Sequence, residues 1–324
     1  MKKIILCLVL VTVPSCCRFL QNDKTLRVMS YNVQNLFDDI SSGSEYDEFD
    51  PANGTWTSKL YHLKLCAIAD VIACEEAGGP DIILLQEIEN ERAVSDLADG
   101  YLKSKSYKYY FVSQEDFGSI HTAVISRFPI LSARAHRIWG KDFSDQRFIM
   151  QYRIDFYGKD LFVFNNHWKS KSGNSGETER AAAAAALGAA ISKLSSKYDS
   201  PLIIAGGDFN SSLAEETPFA KTPLGDSSGF IVELGPGPIA TSETANLVFY
   251  KPDNGMGSYV YRDEWEAIDM LMVSKGVADN FNTRLFYVNP DFLLNSRGYP
   301  SAFSSISAEG YSDHLPLCME LESF

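Results

Sequence analysis

The residues of this chain that can do chemistry sit at the ends of apolar runs. Asn32 falls at the end of Leu26–Val33, Glu87 near the end of Asp81–Ile88, and His167 near the end of Leu161–Trp168. In PLIIAGGDFN, Pro201–Asn210, an apolar stretch runs through Gly206 and Gly207 into Asp208 and Asn210. Asp269 lies inside Ala267–Ser274, and Asp313-His314 stand directly before Leu315–Leu321. Strand geometry sends residues i and i+2 to the same side, so Asp208 and Asn210 can point near one spot. A carboxylate and an amide at a strand mouth suit a phosphate or a metal-bound water. The same pair suits an Asx turn, which merely closes the strand. Glu87 reads equally as a surface charge, His167 as a core histidine bonded to a neighbour, and His314 as a cap on the final strand. Asp269 resists such a reading, because an unpaired carboxylate in an apolar run costs several kcal/mol. It needs a partner, and a histidine serves best. Local readings leave unexplained why one chain gathers so many ionisable groups at strand ends.

The elements that must position these groups follow from periodicity. Leu26–Val33 alternates as a strand. Leu60, Leu63, Ala67, Ile68, Val71 and Ile72 recur at helical spacing over Ser58–Ala77, and Gly78-Gly79-Pro80 stops that helix. Asp81–Ile88 is then a buried strand, so this part of the chain is βαβ-like. Tyr107–Val112, Thr122–Ser126, Ile130–Trp139, Phe148–Phe156 and Leu161–Trp168 read as consecutive strands of a meander, with turns at Arg127-Phe128-Pro129 and Tyr157-Gly158-Lys159. Gly173–Gly176 reads as a flexible loop, and the alanine-rich stretch Glu177–Lys197 as a helix lying close to a neighbour. Ser211–Gly257 is loop-rich and long for a connection, which marks functional or mobile segments. Ala267–Ser274, Leu285–Val288 and Leu315–Leu321 complete the strands. No internal repeat and no second domain boundary are visible.

Composition bounds the class. The 324 residues carry 45% hydrophobic and 12% aromatic residues, enough for a sizeable core, and a formal charge of −13. Such an acidic body repels polyanions at long range, so any grip on phosphate must be local. Lys2-Lys3, the apolar run Ile4–Val13 and Val13-Pro14-Ser15-Cys16 read as a signal peptide over residues 1–15. The run is far short of the ~20 residues of a spanning helix. Its ending resembles a bacterial lipobox, which implies lipidation of Cys16 after cleavage; Pro14 is unusual there, and simple secretion into the periplasm or medium is the alternative. Residues 16–25 form a linker and 26–324 one domain. Of the six cysteines, Cys7 lies in the leader and Cys16 at the lipid site. Cys17, Cys66, Cys74 and Cys318 show no zinc spacing and read mostly as small core residues. The acidic loop Asp38–Gly54 reads as a solvated loop, with calcium binding as the alternative.

SYNVQN, LLQEIE, NNHWKS, GGDFN, AIDMLMVS and SDHLP occur in this order. Together they resemble the successive motifs of the endonuclease/exonuclease/phosphatase superfamily, over about residues 26–322, and most closely a bacterial group related to secreted nucleases. The resemblance implies an α/β fold: a four-layer α/β sandwich, two mixed β-sheets packed face to face with helices outside and the site at one end. It implies that Glu87 binds a divalent metal, usually Mg2+, with Asn32 beside it and Asp313 supporting the metal or the neighbouring histidine. Gln34 stands where some members have Asp, which puts a second metal in doubt. Asp208 and Asn210 match the pair that orients the attacking water and holds the phosphate. His314, oriented by Asp269, matches the histidine that acts as general base or contacts phosphate, and His167 the one near the leaving group. Arg147 and Lys169 are candidate phosphate contacts. Oxygen ligands suit Mg2+, Mn2+ or Ca2+ rather than zinc, and a metal-activated phosphoryl oxygen with a histidine near neutrality suits phosphodiester hydrolysis.

The substrate is not fixed by such motifs. Nucleic acid is the first expectation, with Lys169, Lys171 and Arg180 as a local cationic lip and Trp168, Trp265 and Tyr259–Tyr261 as stacking or core aromatics. A phospholipid or inositol phosphate is the alternative, and a non-catalytic surface binding protein on the same fold another. The chain is expected to be a monomer, exported and held to a bacterial membrane by its lipid.

Overall fold

The structure is a computed structural model that describes residues 25–74, 79–115, 118–138, 146–171, 176–212, 238–242, 247–255, 257–288 and 290–323. The leader, the proposed lipid site, Trp139 and most of the loop-rich segment after Ser212 lie outside these residues.

Two parallel pairs organise the fold. Strand β1 (Thr25–Leu36) leads through helix α1 (Ser58–Ala73) into β2 (Ile82–Ile88), which pairs parallel to β1. Strand β7 (Lys159–His167) leads through α3 (Glu177–Lys197) into β8 (Leu202–Asp208), again parallel. A parallel pair needs such a crossover, and each forms the middle of one mixed sheet. The short helix α2 (Glu91–Ser95) follows β2, and β3 (Tyr109–Val112) and β4 (His121–Ser126) form a hairpin. They extend the first sheet, in the order β14-β15-β1-β2-β4-β3, with β14 spanning Phe281–Tyr287 and β15 Leu317–Ser323. Strands β5 (Ile130–His136), β6 (Ile149–Phe156), β9 (Pro238–Ser242), β10 (Leu247–Tyr250) and β13 (Asp269–Ser274) complete the second sheet, in the order β5-β6-β7-β8-β13-β10-β9. A hairpin, β11 (Tyr259–Tyr261) and β12 (Glu264–Glu266), stands apart, and α4 (Lys275–Ala278) follows β13. The expected meander is therefore split: the chain changes sheets at Arg127-Phe128-Pro129, because β4 pairs back to β2 while β5 begins a new partner set.

The apolar runs are continuous because both faces of the central strands are buried. On β7 and β8, Val163 and Ile204 join the core between the sheets, while Phe162, Phe164, Ile203 and Ala205 turn outward to Ala183, Ala184, Leu187 and Ile191 of α3. Alanines on that face let the helix approach closely. Thr57 caps α1 by accepting the Leu60 amide. The buried stripe of α1 holds the expected Ala67, Ile68, Val71 and Ile72 together with Tyr61, Lys64 and Leu65, while the expected Leu60 and Leu63 are only half-buried. The layers are thus helix, sheet, sheet, helix, a four-layer α/β sandwich. Among the cysteines described, only Cys318 is in the core; Cys66 and Cys74 are exposed, which corrects the reading of these cysteines as mostly core residues.

One polar seam crosses the apolar interface. The Gln86 amide donates to Asn165 Oδ1 at 2.8 Å, and Asn165 Nδ2 donates to the carbonyls of Leu85 and Ala123 at 3.1 and 2.8 Å. All of it is buried, so each bond satisfies a group that would be costly unpaired. The seam locks the two sheets one residue behind Glu87 and two behind His167. Gly207 fixes the pairing of β8 with β7 within the second sheet. Its φ is +136°, and a Cβ there would stand 2.0 Å from the Asn166 carbonyl oxygen. Gly207→Ala is therefore expected to cost roughly 2–4 kcal/mol in urea unfolding, and to push Asp208 out of register with His167.

Candidate active site

The catalytic candidates converge where β1, β2, β7, β8 and β13 end together. Register places His167 opposite Asp208 and Asp208 opposite Asp269. Glu87 arrives differently. Its φ is +65°, and the pairing of β2 shifts on both sides of it, so the carboxylate leaves the sheet plane. Asn32 Nδ2 then donates to Glu87 Oε1 and to Asp208 Oδ2, 3.1 Å each, which joins the first sheet to the second. Glu87 Oε2 accepts the Asn35 amide at 2.9 Å, and Asn32 Oδ1 the Gln34 amide at 3.0 Å.

Asp208 serves two ends at once. Oδ1 accepts the Asn210 amide at 2.8 Å, which is the Asx turn, while Oδ2 faces Asn32. Asn210 lies beyond the strand with φ +49°, so the i, i+2 argument does not place it. Its side chain donates instead to the Trp168 carbonyl at 3.1 Å, bracing the chain after His167. The buried Asp269 has the expected partner: its Oδ2 is 2.6 Å from His314 Nδ1. Ser312 fixes the turn before it, donating to the Asn32 carbonyl at 2.7 Å and accepting the His314 amide at 3.1 Å. The Tyr259 ring covers His314 with centroids 4.8 Å apart.

Glu87, His167, Asp208, Asn210, Tyr259 and His314 line a cleft of about 360 Å³ that also contains Arg147, Lys171, Asp313 and Tyr261, whereas Asn32 and Asp269 are not in its lining. Lys169 is not in its lining; its carbonyl accepts from Arg180, and Lys171 two residues on is paired with Glu266 at 2.9 Å. Trp168 is buried against Phe209 and is core rather than a base platform. A larger cavity of about 460 Å³ reaches Asp269 from the side of Phe249, Met270 and Tyr287, and its lining is mostly apolar, with Ser212 and Lys251 at it too.

The two histidines are driven to opposite charge states. Burial alone would depress His314, but Asp269, then Asp313 and Asp208, lift its pKa well above the ordinary value. His167 is pushed well below by burial, then by the charges of Arg147 and His314. Its Nε2 stands 3.7 Å from Asp208 Oδ2 and 3.9 Å from Glu87 Oε1, and its Nδ1 is buried without a partner. Burial raises Asp208, and the charge of Asp269 raises it further. Glu87 is raised by burial and then by Asp313.

A divalent cation fits this chemistry. Glu87, Asn32 and Asp313 offer oxygen alone, and a cation would relieve the mutual repulsion of the two carboxylates. Asn35 Oδ1, buried beside them on the chain, has no hydrogen-bond partner. Among the described residues the cluster with three donors in mutual ligand reach is Asp208, Asp269 and His314, within 4.8 Å. There, however, His314 Nδ1 is already bonded to Asp269, which leaves only Nε2 of the ring to offer as a ligand. Sequence reasoning does not single out Lys64, Gln86 or Asn165. Gln86 and Asn165 adjoin the motifs, and Lys64 interrupts the apolar stripe of a helix, which is a visible signal.

The His314–Asp269 pair stabilises the fold fully below a pH of about 6.5, and that contribution fades as pH rises through the elevated folded pKa. In metal-free protein the His314 imidazole is expected to stay protonated past neutrality. Asp269→Asn should return its titration to about 6.5 or below, read by NMR of the ring resonances.

Comparison with known proteins comes to the same fold. An endonuclease/exonuclease/phosphatase family protein from Bacteroides thetaiotaomicron is 19% identical with a TM-score of 0.58, covering 93% of this chain and 98% of that one. Truncated TDP2 from Caenorhabditis elegans is 17% identical with a TM-score of 0.56, covering 92% and 98%. The human nocturnin catalytic domain, solved with a sulfate anion, is 16% identical with a TM-score of 0.55, covering 93% and 95%. No curated protein matches in sequence. A sequence profile of the Endonuclease/Exonuclease/phosphatase family matches residues 27–323, nearly the whole domain. The chain belongs to the endonuclease/exonuclease/phosphatase family, whose enzymes hydrolyse phosphoester bonds with a divalent metal.

Proposed function

We propose that this protein is an exported, Mg2+-dependent endonuclease that cleaves DNA or RNA. The observation that carries the hydrolytic reading is the Asn32 amide held between Glu87 and Asp208, which sets a metal-side carboxylate and a water-side carboxylate at fixed separation. Glu87, Asn32 and Asp313 would hold the cation, with Mn2+ or Ca2+ as substitutes. When bound, the cation supplies Lewis acidity to a phosphoryl oxygen.

The chain's own residues do the rest. Asp208, raised by burial and by Asp269, is suited to take a proton from the attacking water. That favours Asp208 over His314 as general base, because His314 is held protonated and suits a phosphate oxygen. Neutral His167 can donate from Nε2 near the leaving oxygen. Arg147 adds positive charge in the cleft, and the exposed Tyr261 offers a face to a base or sugar. On so acidic a body these local groups must carry substrate binding. The leader and Cys16 support export and lipid attachment to a bacterial membrane, with free periplasmic or secreted protein as the other form, and a monomer suits a site completed by one chain.

Leaderless protein should cleave plasmid or single-stranded nucleic acid with Mg2+ and lose this in EDTA. His314→Ala and Asp208→Ala are each expected to lose roughly a thousandfold in turnover, and Glu87→Ala to shift the Mg2+ titration to higher concentration. Wild-type-like turnover in either of the first two removes that residue from the mechanism. Phosphate release from phospholipid or inositol phosphate without nucleic acid cleavage moves the substrate class, and silence on every phosphoester supports a binding protein.

A further inference from the structure

Lys64 is a lysine with no solvent exposure, in the middle of the buried stripe of α1. Complete burial of an ammonium is costly unless charge and hydrogen bonds compensate it. Its Nζ donates to the Tyr311 carbonyl at 2.7 Å and lies 4.8 Å from the centre of the Phe303 ring. Tyr311 begins the turn that ends in Asp313-His314. Phe303 is itself tied to the end of β1, since its amide donates to Gln34 Oε1 at 2.7 Å. The charges that reach Lys64 are those of Asp313 and Glu87. Burial draws its pKa down to about 7, and the charges of Asp313 and then Glu87 oppose that fall.

We infer that Lys64 is a built-in counter-cation for Glu87 and Asp313, a positioning residue that holds the 311–314 turn from beneath and tempers the attraction of the two carboxylates for the catalytic metal. This rests on the reading of Glu87 and Asp313 as metal ligands. It explains how two carboxylates are kept together at a half-buried site before any metal arrives. A Lys64 ammonium opposes metal binding and stabilises the metal-free state, so its loss should have opposite effects on the two.

The test compares Lys64→Gln, which keeps a donor for the Tyr311 carbonyl but no charge, with Lys64→Arg, which keeps the charge. Calorimetric titration of EDTA-stripped protein with Mg2+ and Mn2+ should show roughly tenfold tighter binding in Lys64→Gln and near-wild-type affinity in Lys64→Arg. Equal or weaker affinity in Lys64→Gln overturns the inference, because a purely structural lysine would leave affinity unchanged or reduce it. A second measurement needs no metal. Lys64→Gln should lower the melting temperature of the stripped protein by roughly 5 °C, and by less than half as much when Asp313→Asn is also present. Additive shifts overturn the inference. Should Lys64→Gln not fold, recovery of folded protein by Asp313→Asn supports the inference, and failure of both to fold overturns it. A wild-type protein that binds neither metal would refute the metal reading of the site, and the melting comparison would then decide the role of Lys64 alone.

Discussion

The site depends on one amide. Asn32 has two amide hydrogens, and each goes to a carboxylate on a different strand, Glu87 on β2 of its own sheet and Asp208 on β8 of the other. Its oxygen takes the Gln34 amide, which fixes the orientation of the group. Neither sheet can slide or tilt relative to the other without breaking one of these buried bonds. The Gln86–Asn165 seam enforces the same register further back, and the glycine approach at Gly207 fixes β8 against β7 within the second sheet. Polar bonds placed across an apolar interface contribute little net energy each, but they discriminate strongly among packings, because every alternative leaves a buried group unpaired.

That register makes the electrostatics possible. Asp208 and Asp269 are forced side by side by strand pairing, so their repulsion is built into the sheet rather than chosen by side-chain rotation. The His314–Asp269 bond absorbs one of the two charges and leaves Asp208 the carboxylate with the unusual proton affinity. The histidine on the other flank is kept neutral by burial, by Arg147 and by charged His314. Environments that separate like groups in this way divide acid and base roles among residues of the same type. Lys64, approaching from α1, balances the opposite edge of the same acidic cluster.

Much of this is legible in the amino-acid sequence. The buried central strands, the alanine-rich helix and the need of Asp269 for a histidine all follow from local pattern and from the cost of an unpaired buried charge. The two sheets are harder to separate, because β4 and β5 are joined by a turn that reads like those within a meander, and only non-local pairing divides them. Strands β9 and β10 hide in a loop-rich stretch whose glycines and prolines outweigh a short run such as Leu247–Tyr250. Hydropathy reads the later turns of α1 correctly but misreads its first, because Leu60 and Leu63 weigh more in such a count than Tyr61 and Lys64, although the latter two face inward. Adjacency to His167 suggests the cleft for Lys169 and Trp168, but β7 ends at His167, and the loop beyond it is braced by Asn210 and Arg180 on the Trp168 and Lys169 carbonyls.

The positions that escape sequence periodicity are those where the backbone leaves ordinary geometry. Gln34, Asn35, Glu87 and Asn210 all have positive φ; Glu87 and Asn210 line the cleft, and Gln34 and Asn35 follow Asn32 on β1. A strand alternates side chains strictly between its two faces, so a regular end to β2 would commit Glu87 to a face rather than to the cleft. The left-handed residue at Glu87, with the register shift around it, breaks that alternation and turns the carboxylate toward Asn32 and the Asn35 amide. Asn210 does the same after β8, which is why its amide braces Trp168 while its backbone closes on Asp208. Such conformations cost of order 1–3 kcal/mol each, and they persist here because each is tied down by a hydrogen bond to a neighbour in the site. The bonds that hold the strained backbone are therefore the bonds that aim the side chains of the candidate site, and relaxing either would release both.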